Sequence, residues 1–368
     1  MQAADIEITV LNDGEINLAN DFFNSIYKSG RDEEKFLWEF RKSPALPGIY
    51  VVAKDRQTGK VVGCQGAIPV DVITGKGETV LTAKSEDTLV HPDYRGLNIF
   101  ENMYKLLFDQ SQKRGIQYIW GFTYAKKPFT KLGFDTPYIV GQSLIAFDIL
   151  GAARYLLRYN RTKTLWSKTK MLALCGFSKV VSLKRNFSAD SHLKGISHST
   201  LEKRSMEDNN FLAGDILSGT PDHFMIKQEV NYLRWRITDN PYHDEILNVG
   251  FYVESKKVAH VLLNHHEDGV WYLIQDLYST SLTEIQKTAI LVKAVNILKG
   301  RKKANLRLIR TWDFSHNAIN KAEVAVRKKA GFTQIKHGAV FVWKGLGGMP
   351  LLDPHHFILS RIASEGKI

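Results

Sequence analysis

The chain has 368 residues, 44% hydrophobic and 24% charged. These globular proportions exclude collagen-like, low-complexity and wholly disordered chains, and the length predicts two domains. The 50 Lys and Arg outnumber 38 Asp and Glu, a net charge of +12, which favours an anionic partner: nucleic acid, a lipid surface or a phosphorylated small molecule. Two cysteines, Cys64 and Cys175, are too few for a disulfide framework and point to a reducing compartment. The N-terminus shows no basic region followed by an apolar core, and no apolar run reaches the ~18 residues of a membrane span, so a soluble cytoplasmic protein is expected.

In chain order, helical spacing predicts helices over 17–29 and 33–42, the second ending before Ser43-Pro44. Strands over 49–54 and 61–68 flank a Gln57-Thr58-Gly59-Lys60 turn. Further strand material follows over 70–74 and 78–90, around Thr74-Gly75-Lys76-Gly77. A helix over 97–114, a buried strand over 116–123, a short helix and a strand starting at Gly133-Phe134 complete this half.

The most informative stretch is His91-Pro92-Asp93-Tyr94-Arg95-Gly96-Leu97-Asn98-Ile99-Phe100, between a strand ending at Val90 and a helix opening near Leu97–Ile99. The free N–H groups and positive dipole end of a helix N-terminus suit a phosphate, and Arg95 adds a bidentate donor. This pattern resembles the acyl-CoA-binding turn of the GNAT (Gcn5-related N-acetyltransferase) superfamily, usually Arg/Gln-x-x-Gly-x-Gly/Ala. Asn98 stands for the middle Gly and Phe100 for the last small residue. The segment Ala125-Lys126-Lys127-Pro128-Phe129-Thr130-Lys131-Leu132-Gly133-Phe134 is similar to the family's Ala-x-x-x-Tyr-x-x-x-Gly-Phe element. Phe129 holds the place of the general-acid Tyr, so Tyr124 or Tyr138 is the available substitute.

The resemblance implies an acetyl-CoA or longer acyl-CoA co-substrate, no metal, and a site formed by Leu89, Val90, Arg95, Gly96, Leu97, Asn98, Ile99, Phe100 and Phe129. A backbone N–H near Leu89 or Val90 would face the thioester oxygen. A carboxylate on the preceding strand would take the proton of the amine, and Glu86 and Asp87 are the candidates. Strand alternation admits only one of them to the cleft, and Glu86 is preferred.

Residues 149–189 carry nine Lys or Arg and no acid, with helical spacing at Tyr155, Leu156, Tyr159 and Thr162 and then an apolar run over 171–183. No nucleic-acid-binding motif interrupts them; a solvated connector, a lipid contact or part of an anionic substrate pocket are the readings. Beyond lie a helix over 228–238, strands over 246–254, 257–265 and 271–278, a helix over 282–298, a strand over 305–311, a helix over 317–329 and a strand over 333–343. His265-His266-Glu267-Asp268-Gly269 reads as a hairpin tip and matches no recurrent zinc spacing.

The two halves repeat. Phe36-Leu37-Trp38 with Pro44 matches Leu233-Arg234-Trp235 with Pro241 at an offset of 197, and Lys131-Leu132-Gly133-Phe134 matches Lys329-Ala330-Gly331-Phe332 at 198. The expected fold is α+β (mixed α/β): two tandem GNAT-like lobes, each a mixed, mostly antiparallel sheet flanked by helices. Expected units are 1–148 with the acyl-CoA site, a basic connector 149–199, and a degenerate lobe 200–368 on the acceptor side. There Arg236, Trp312, His316 and Asn317 are the candidate substrate contacts. The expected activity is acyl-CoA-dependent N-acyl transfer to a small-molecule amine, with a nucleotide-linked (dTDP) amino-deoxy sugar for surface polysaccharide as the leading acceptor. An aminoglycoside, peptide or polyamine acceptor, an aminoacyl-tRNA-dependent peptidyl transferase and a non-catalytic CoA-binding module are the alternatives.

Overall fold

In this computed structural model the described residues are 5–158, 164–184, 189–201, 206–242, 245–301, 304–335, 338–347 and 351–363. Tyr159, Arg161, Thr162, Lys163 and Arg185 of the basic segment lie outside them.

The first half runs β1 (Ile6–Val10), α1 (Ile16–Tyr27), α2 (Glu33–Phe40), β2 (Ile49–Asp55), β3 (Val61–Thr74), β4 (Thr79–Val90), α3 (Ile99–Lys113), β5 (Tyr118–Thr123), α4 (Lys126–Lys131) and β6 (Gly141–Ala146). The connector holds α5 (Ile149–Arg158), α6 (Leu165–Lys184) and α7 (Ala189–His192). The second half runs β7 (Ser197–Leu201), α8 (Asn210–Leu217), β8 (Phe224–Ile226), α9 (Val230–Leu233), β9 (Ile246–Val253), β10 (Lys256–Glu267) and β11 (Val270–Tyr278). It continues with α10 (Glu284–Gly300), β12 (Leu308–Asp313), α11 (Ala318–Lys329), β13 (Thr333–Ile335), β14 (Val340–Gly345) and β15 (Phe357–Ile358).

Local chemistry explains many of the boundaries. Asp32 caps α2 by accepting from Lys35 N, with Glu33 and Glu34 in the first turn, where carboxylates favour the dipole. The repeated Gly-Phe element is a helix stop in both halves. Gly133 (φ 75°) and Gly331 (φ 105°) take the left-handed conformation. Phe134 N and Phe332 N reach back to the carbonyls of Phe129 and Arg327 at 3.1 and 3.0 Å, and both rings are buried. The Asp268-Gly269 turn, with φ of 49° and 75°, closes the β10–β11 hairpin as the sequence predicts.

The strands form two sheets that do not follow the division at residue 148. One sheet has the order β1-β2-β3-β4-β5-β14, with β8 and β15 at its margin; the other has the order β13-β6-β12-β11-β10-β9-β7. The halves therefore exchange strands: β6 of the first pairs β12, and β14 of the second pairs β5, both antiparallel. The single strand expected over 333–343 is in fact two strands in different sheets. The crossing segments bond to each other, with Val140 N donating to the Ala339 carbonyl at 2.9 Å and Phe341 N to Tyr138 at 3.0 Å. Gly338 permits the crossing, since a Cβ there would collide with the Val140 carbonyl oxygen.

A layer shared by the two sheets contains Trp38, Trp120, Phe224, Trp235, Tyr272, Trp312, Phe341 and Trp343. The repeated tryptophans meet inside it. Trp38 Nε1 donates to the Trp235 carbonyl at 2.7 Å, and Trp235 Nε1 donates to the Trp38 carbonyl at 2.8 Å. This reciprocity marks a local two-fold relation between the halves. The expected helix 228–238 is α9 followed by a single π turn over Arg234–Thr238, which carries Trp235 into the contact. Helices α3 and α4 cover the outer face of the first sheet and α10 that of the second.

Candidate functional site

In the first sheet β4 and β5 run parallel and pair only through Thr82–Tyr118, Ala83–Ile119 and Lys84–Trp120. Beyond that point β4 continues to Val90 and β5 to Thr123, so the strands part and leave backbone groups of β4 facing an opening. A bulge accompanies the split: Gly66 opposes Glu86 whereas Cys64 opposes Leu89, and Asp87 sits at φ 53°. Below it, Tyr104 OH lies 2.7 Å from Ser85 Oγ and 3.1 Å from Thr88 Oγ1, and Gln65 also bonds both hydroxyls. This buried network fixes the strand where it leaves its neighbour.

Helix α3 opens at the mouth of the split. Asn98 precedes it at φ 55°, Gly96 lies at φ 87°, and Asn98 makes no side-chain cap. Asn and Gly tolerate this left-handed backbone, so the turn forms without the usual middle glycine. The first helical bond runs from Asn102 N to the Asn98 carbonyl, so the N–H groups of Ile99, Phe100 and Glu101 lie ahead of it. Arg95 and Gly96 are exposed beside them. The loop itself is anchored by Tyr94 OH donating to Asp55 Oδ2 at 2.7 Å and by His91 N donating to the Val62 carbonyl at 2.8 Å. The donor set therefore fits a pyrophosphate, and the split fits an extended thioester arm.

The remaining predicted residues fall as follows. Leu89 and Val90 end β4 at the split. Leu97 and Phe100 pack on the core under α3, and Phe100 meets Phe129 at 5.6 Å in a ring cluster with Tyr104 and Phe134. Phe129 is thus a packing residue beneath the site. Tyr124 follows β5 and is 78% exposed. Tyr138 is stacked between His316 and Phe341 at 3.7 and 4.8 Å, where burial pushes its hydroxyl pKa up.

Glu86 and Asp87 do not point to opposite faces as simple alternation predicts. The positive φ at Asp87 interrupts the alternation, and both carboxylates join one charged cluster. Asp87 accepts from the buried Arg31 guanidinium and, at 2.8 Å, from Tyr50 OH. Glu86 pairs with Lys84 and is the more open of the two. Glu39, on α2, lies 3.7 Å from Arg31. Burial, reinforced by the negative charge of Asp87, pushes its carboxyl up to about 7, against the pull of Arg31, Lys84 and Arg236. Arg31, Glu39, Tyr50 and Tyr104 escaped the sequence reading because each comes from a helix, loop or strand whose local pattern signals only amphipathic packing.

On the second lobe, Arg236 is buried, donates to the Ile362 carbonyl at 3.2 Å and lies over both paired tryptophans. With Lys84, Tyr232 and Trp235 it lines a small cavity between the lobes. Trp312 packs edge-on against Phe122 at 4.8 Å. Asn317 caps α11, and His316 Nε2 lies 2.7 Å from the Phe357 carbonyl, so both residues anchor β15. Burial lowers the His316 pKa to about 4. Trp312, Arg236, His316 and Asn317 therefore have structural partners: Phe122, Ile362 and Phe357 are distant in the chain, whereas the Asn317 cap is local.

The second sheet has its own split: β11 and β12 pair only through Val270–Leu308, Trp271–Ile309 and Tyr272–Arg310. Here the opening is bridged. Arg327 Nε donates to Asp276 Oδ2 at 3.0 Å, and Nη1 donates to the Trp312 carbonyl at 3.0 Å. The turn donors are also satisfied internally. Asp215 accepts from Thr280 N at 2.8 Å, and Thr283 and Gln286 form a reciprocal capping box on α10. Among the described residues no group of three or more His, Cys, Asp or Glu is placed to hold a metal.

A mixed sheet that splits beside a helix N-terminus is thus present twice, open and uncapped in the first lobe and bridged and capped in the second. Residues 7–136 match the family model described as acetyltransferase (GNAT) domain, and the chain has the fold of tandem GNAT proteins. A tandem GNAT protein from the clavulanic acid biosynthesis pathway superposes with a TM-score of 0.57 at 13% identity, covering 94% of this chain and 100% of that one. A probable N-acyltransferase from Enterococcus faecalis gives 0.58 at 10% identity, covering 93% and 72%. N-myristoyltransferase of Saccharomyces cerevisiae with bound myristoyl-CoA gives 0.59 at 13% identity, covering 92% and 78%. No curated protein sequence matches the chain significantly.

Proposed function

We propose that the chain is an acyl-CoA-dependent N-acyltransferase acting on the amine of a small molecule, with a nucleotide-linked (dTDP) amino-deoxy sugar as acceptor. The observation that carries the acyl-CoA part is the open β4–β5 split beside the uncapped N-terminus of α3. CoA, when bound, supplies an activated acyl carbon. Arg95, Gly96 and the N–H groups of Ile99, Phe100 and Glu101 hold its pyrophosphate. The freed edge of β4 near Leu89 and Val90 orients the thioester and donates to its oxygen. Glu86, the less buried of the two carboxylates, accepts the proton of the attacking amine directly or through water. Asp87, engaged by Arg31 and Tyr50, positions the bulge rather than acting as base. Tyr124, exposed at the mouth, is the candidate donor to the leaving thiolate.

The sugar-nucleotide acceptor is supported by the tandem architecture and the excess of cations. The test is incubation with acetyl-CoA and longer acyl-CoAs and a panel of dTDP-3-amino- and dTDP-4-amino-dideoxyhexoses, aminoglycosides, peptides and polyamines, read by mass spectrometry. Acylation of an amino sugar nucleotide is expected. Acylation of another amine alone overturns the acceptor, and calorimetry showing no CoA affinity overturns the reaction class.

A further inference from the structure

Helix α6 packs with its large residues on the wrong side for a buried helix. Its inward face carries Ser167, Cys175 and Ser178, all buried; Ser178 Oγ donates to the Leu144 carbonyl at 3.3 Å and accepts from Ala146 N at 3.1 Å, both on β6. Its outward face carries Leu165, Trp166, Phe177 and Val180, with Trp166 75% and Phe177 61% exposed, and Leu172 at the margin. Positions 166, 173, 177 and 180 advance by seven, four and three residues, so at 3.6 residues per turn they form one continuous stripe. Leu150 of α5 is exposed on the same helical pair. Lys170 flanks the stripe, while Lys168 and Lys179 lie round toward the opposite side of the helix. The connector is thus no solvated linker: α5 and α6 pack on β6, with Ala152, Ala153, Tyr155, Cys175 and Leu144 in one small core.

The charge of the surroundings selects the occupant. Residues 149–189 carry nine cations and no acid. A second copy of the same helix would set cations against cations, and an acidic protein groove would leave no reason for a Trp and a Phe to project from opposite ends of one stripe. An anionic lipid surface satisfies both features, since its phosphates meet the lysines and its interface accepts aromatic and aliphatic side chains. The helix lies on such a surface rather than crossing it, as no described helix is long and apolar enough to span. We propose that the outer face of α6 is a docking surface for anionic membranes. This surface belongs to the second lobe, away from the α3 turn, and does not depend on the acyl-transfer reading.

The experiment is flotation of the full chain with phosphatidylcholine vesicles, with and without phosphatidylglycerol. Binding is expected only with the anionic lipid and is expected to weaken as salt is raised. Trp166→Ser with Phe177→Ser, both at exposed positions, should reduce binding about tenfold or more, given the apolar area each side chain would bury. Lys170→Glu should reduce it about fivefold or more as well. Unchanged circular dichroism and CoA affinity in both variants establish that the fold is intact. No flotation, equal binding to neutral vesicles, or a dimer by light scattering that the Trp166 and Phe177 changes dissolve would each overturn the proposal.

Discussion

In the first lobe β4 and β5 separate beyond Lys84 and Trp120, and α3 begins without a side-chain cap. In the second, β11 and β12 separate beyond Tyr272 and Arg310, but Arg327 ties Asp276 to the Trp312 carbonyl across the gap. Asp215 occupies the turn donor Thr280 N, and Thr283 with Gln286 caps α10. The backbone plan is shared; what differs is whether internal groups saturate the donors. A split sheet and a helix N-terminus bind an anion only where the protein has not supplied one itself.

The largest expected effect tests the bridge. Arg327→Met leaves the Asp276 carboxylate buried without its guanidinium, and urea denaturation should show a loss of about 3–5 kcal/mol. A neutral result would mean that Arg327 does not hold the second split closed. Next comes the open turn. Arg95→Glu should lower CoA affinity by calorimetry about tenfold or more, because a charged hydrogen bond of about 1.5–3 kcal/mol is lost. Thr283→Ala in the second lobe should leave that affinity unchanged while costing about 1 kcal/mol in thermal unfolding. Any gain of a second CoA site in Thr283→Ala would break the distinction between the lobes.

A finer test uses pH, because each lobe keeps a buried glutamate. Burial pushes Glu39 and Glu323 from about 4.5 up to about 7. Between those values the folded chain holds protons that the unfolded chain releases, so stability falls as pH rises through the window. Glu39→Gln or Glu323→Gln should flatten that fall in urea midpoints taken across the range. His316 acts in the opposite sense: its pKa is lowered from 6.5 to about 4, so stability present above 6.5 is lost as pH falls.

Much of the frame was legible before any coordinates. The hairpins, α3, α10 and α11 follow from periodicity and turn residues within a few positions, and the Lys-x-Gly-Phe repeat is a helix stop because Gly133 and Gly331 can adopt positive φ where other residues are strained. The turn at Arg95-Gly96 was legible for the same reason: a Gly, an Asn and a helix start are consecutive in sequence. The site's deeper members were not. Arg31, Glu39, Tyr50 and Tyr104 are separated along the chain and become one neighbourhood only through packing, and the bulge that brings Glu86 and Asp87 together is a mismatch between two strands that neither strand reveals alone.

The sequence by itself determined that there are two related lobes, that one of them carries an Arg-Gly-Leu-Asn turn ahead of a helix, and that the cations concentrate between them. These are local and compositional properties, written in consecutive residues or in a repeat. Only the tertiary structure decided that β6 and β14 are exchanged between the sheets, that Trp38 and Trp235 bond each other reciprocally, and that the basic segment is a helical pair with its apolar side outward. A strand's pattern shows which face is buried but not which sheet it joins, and a helix's pattern shows its stripe but not which side the rest of the chain leaves uncovered.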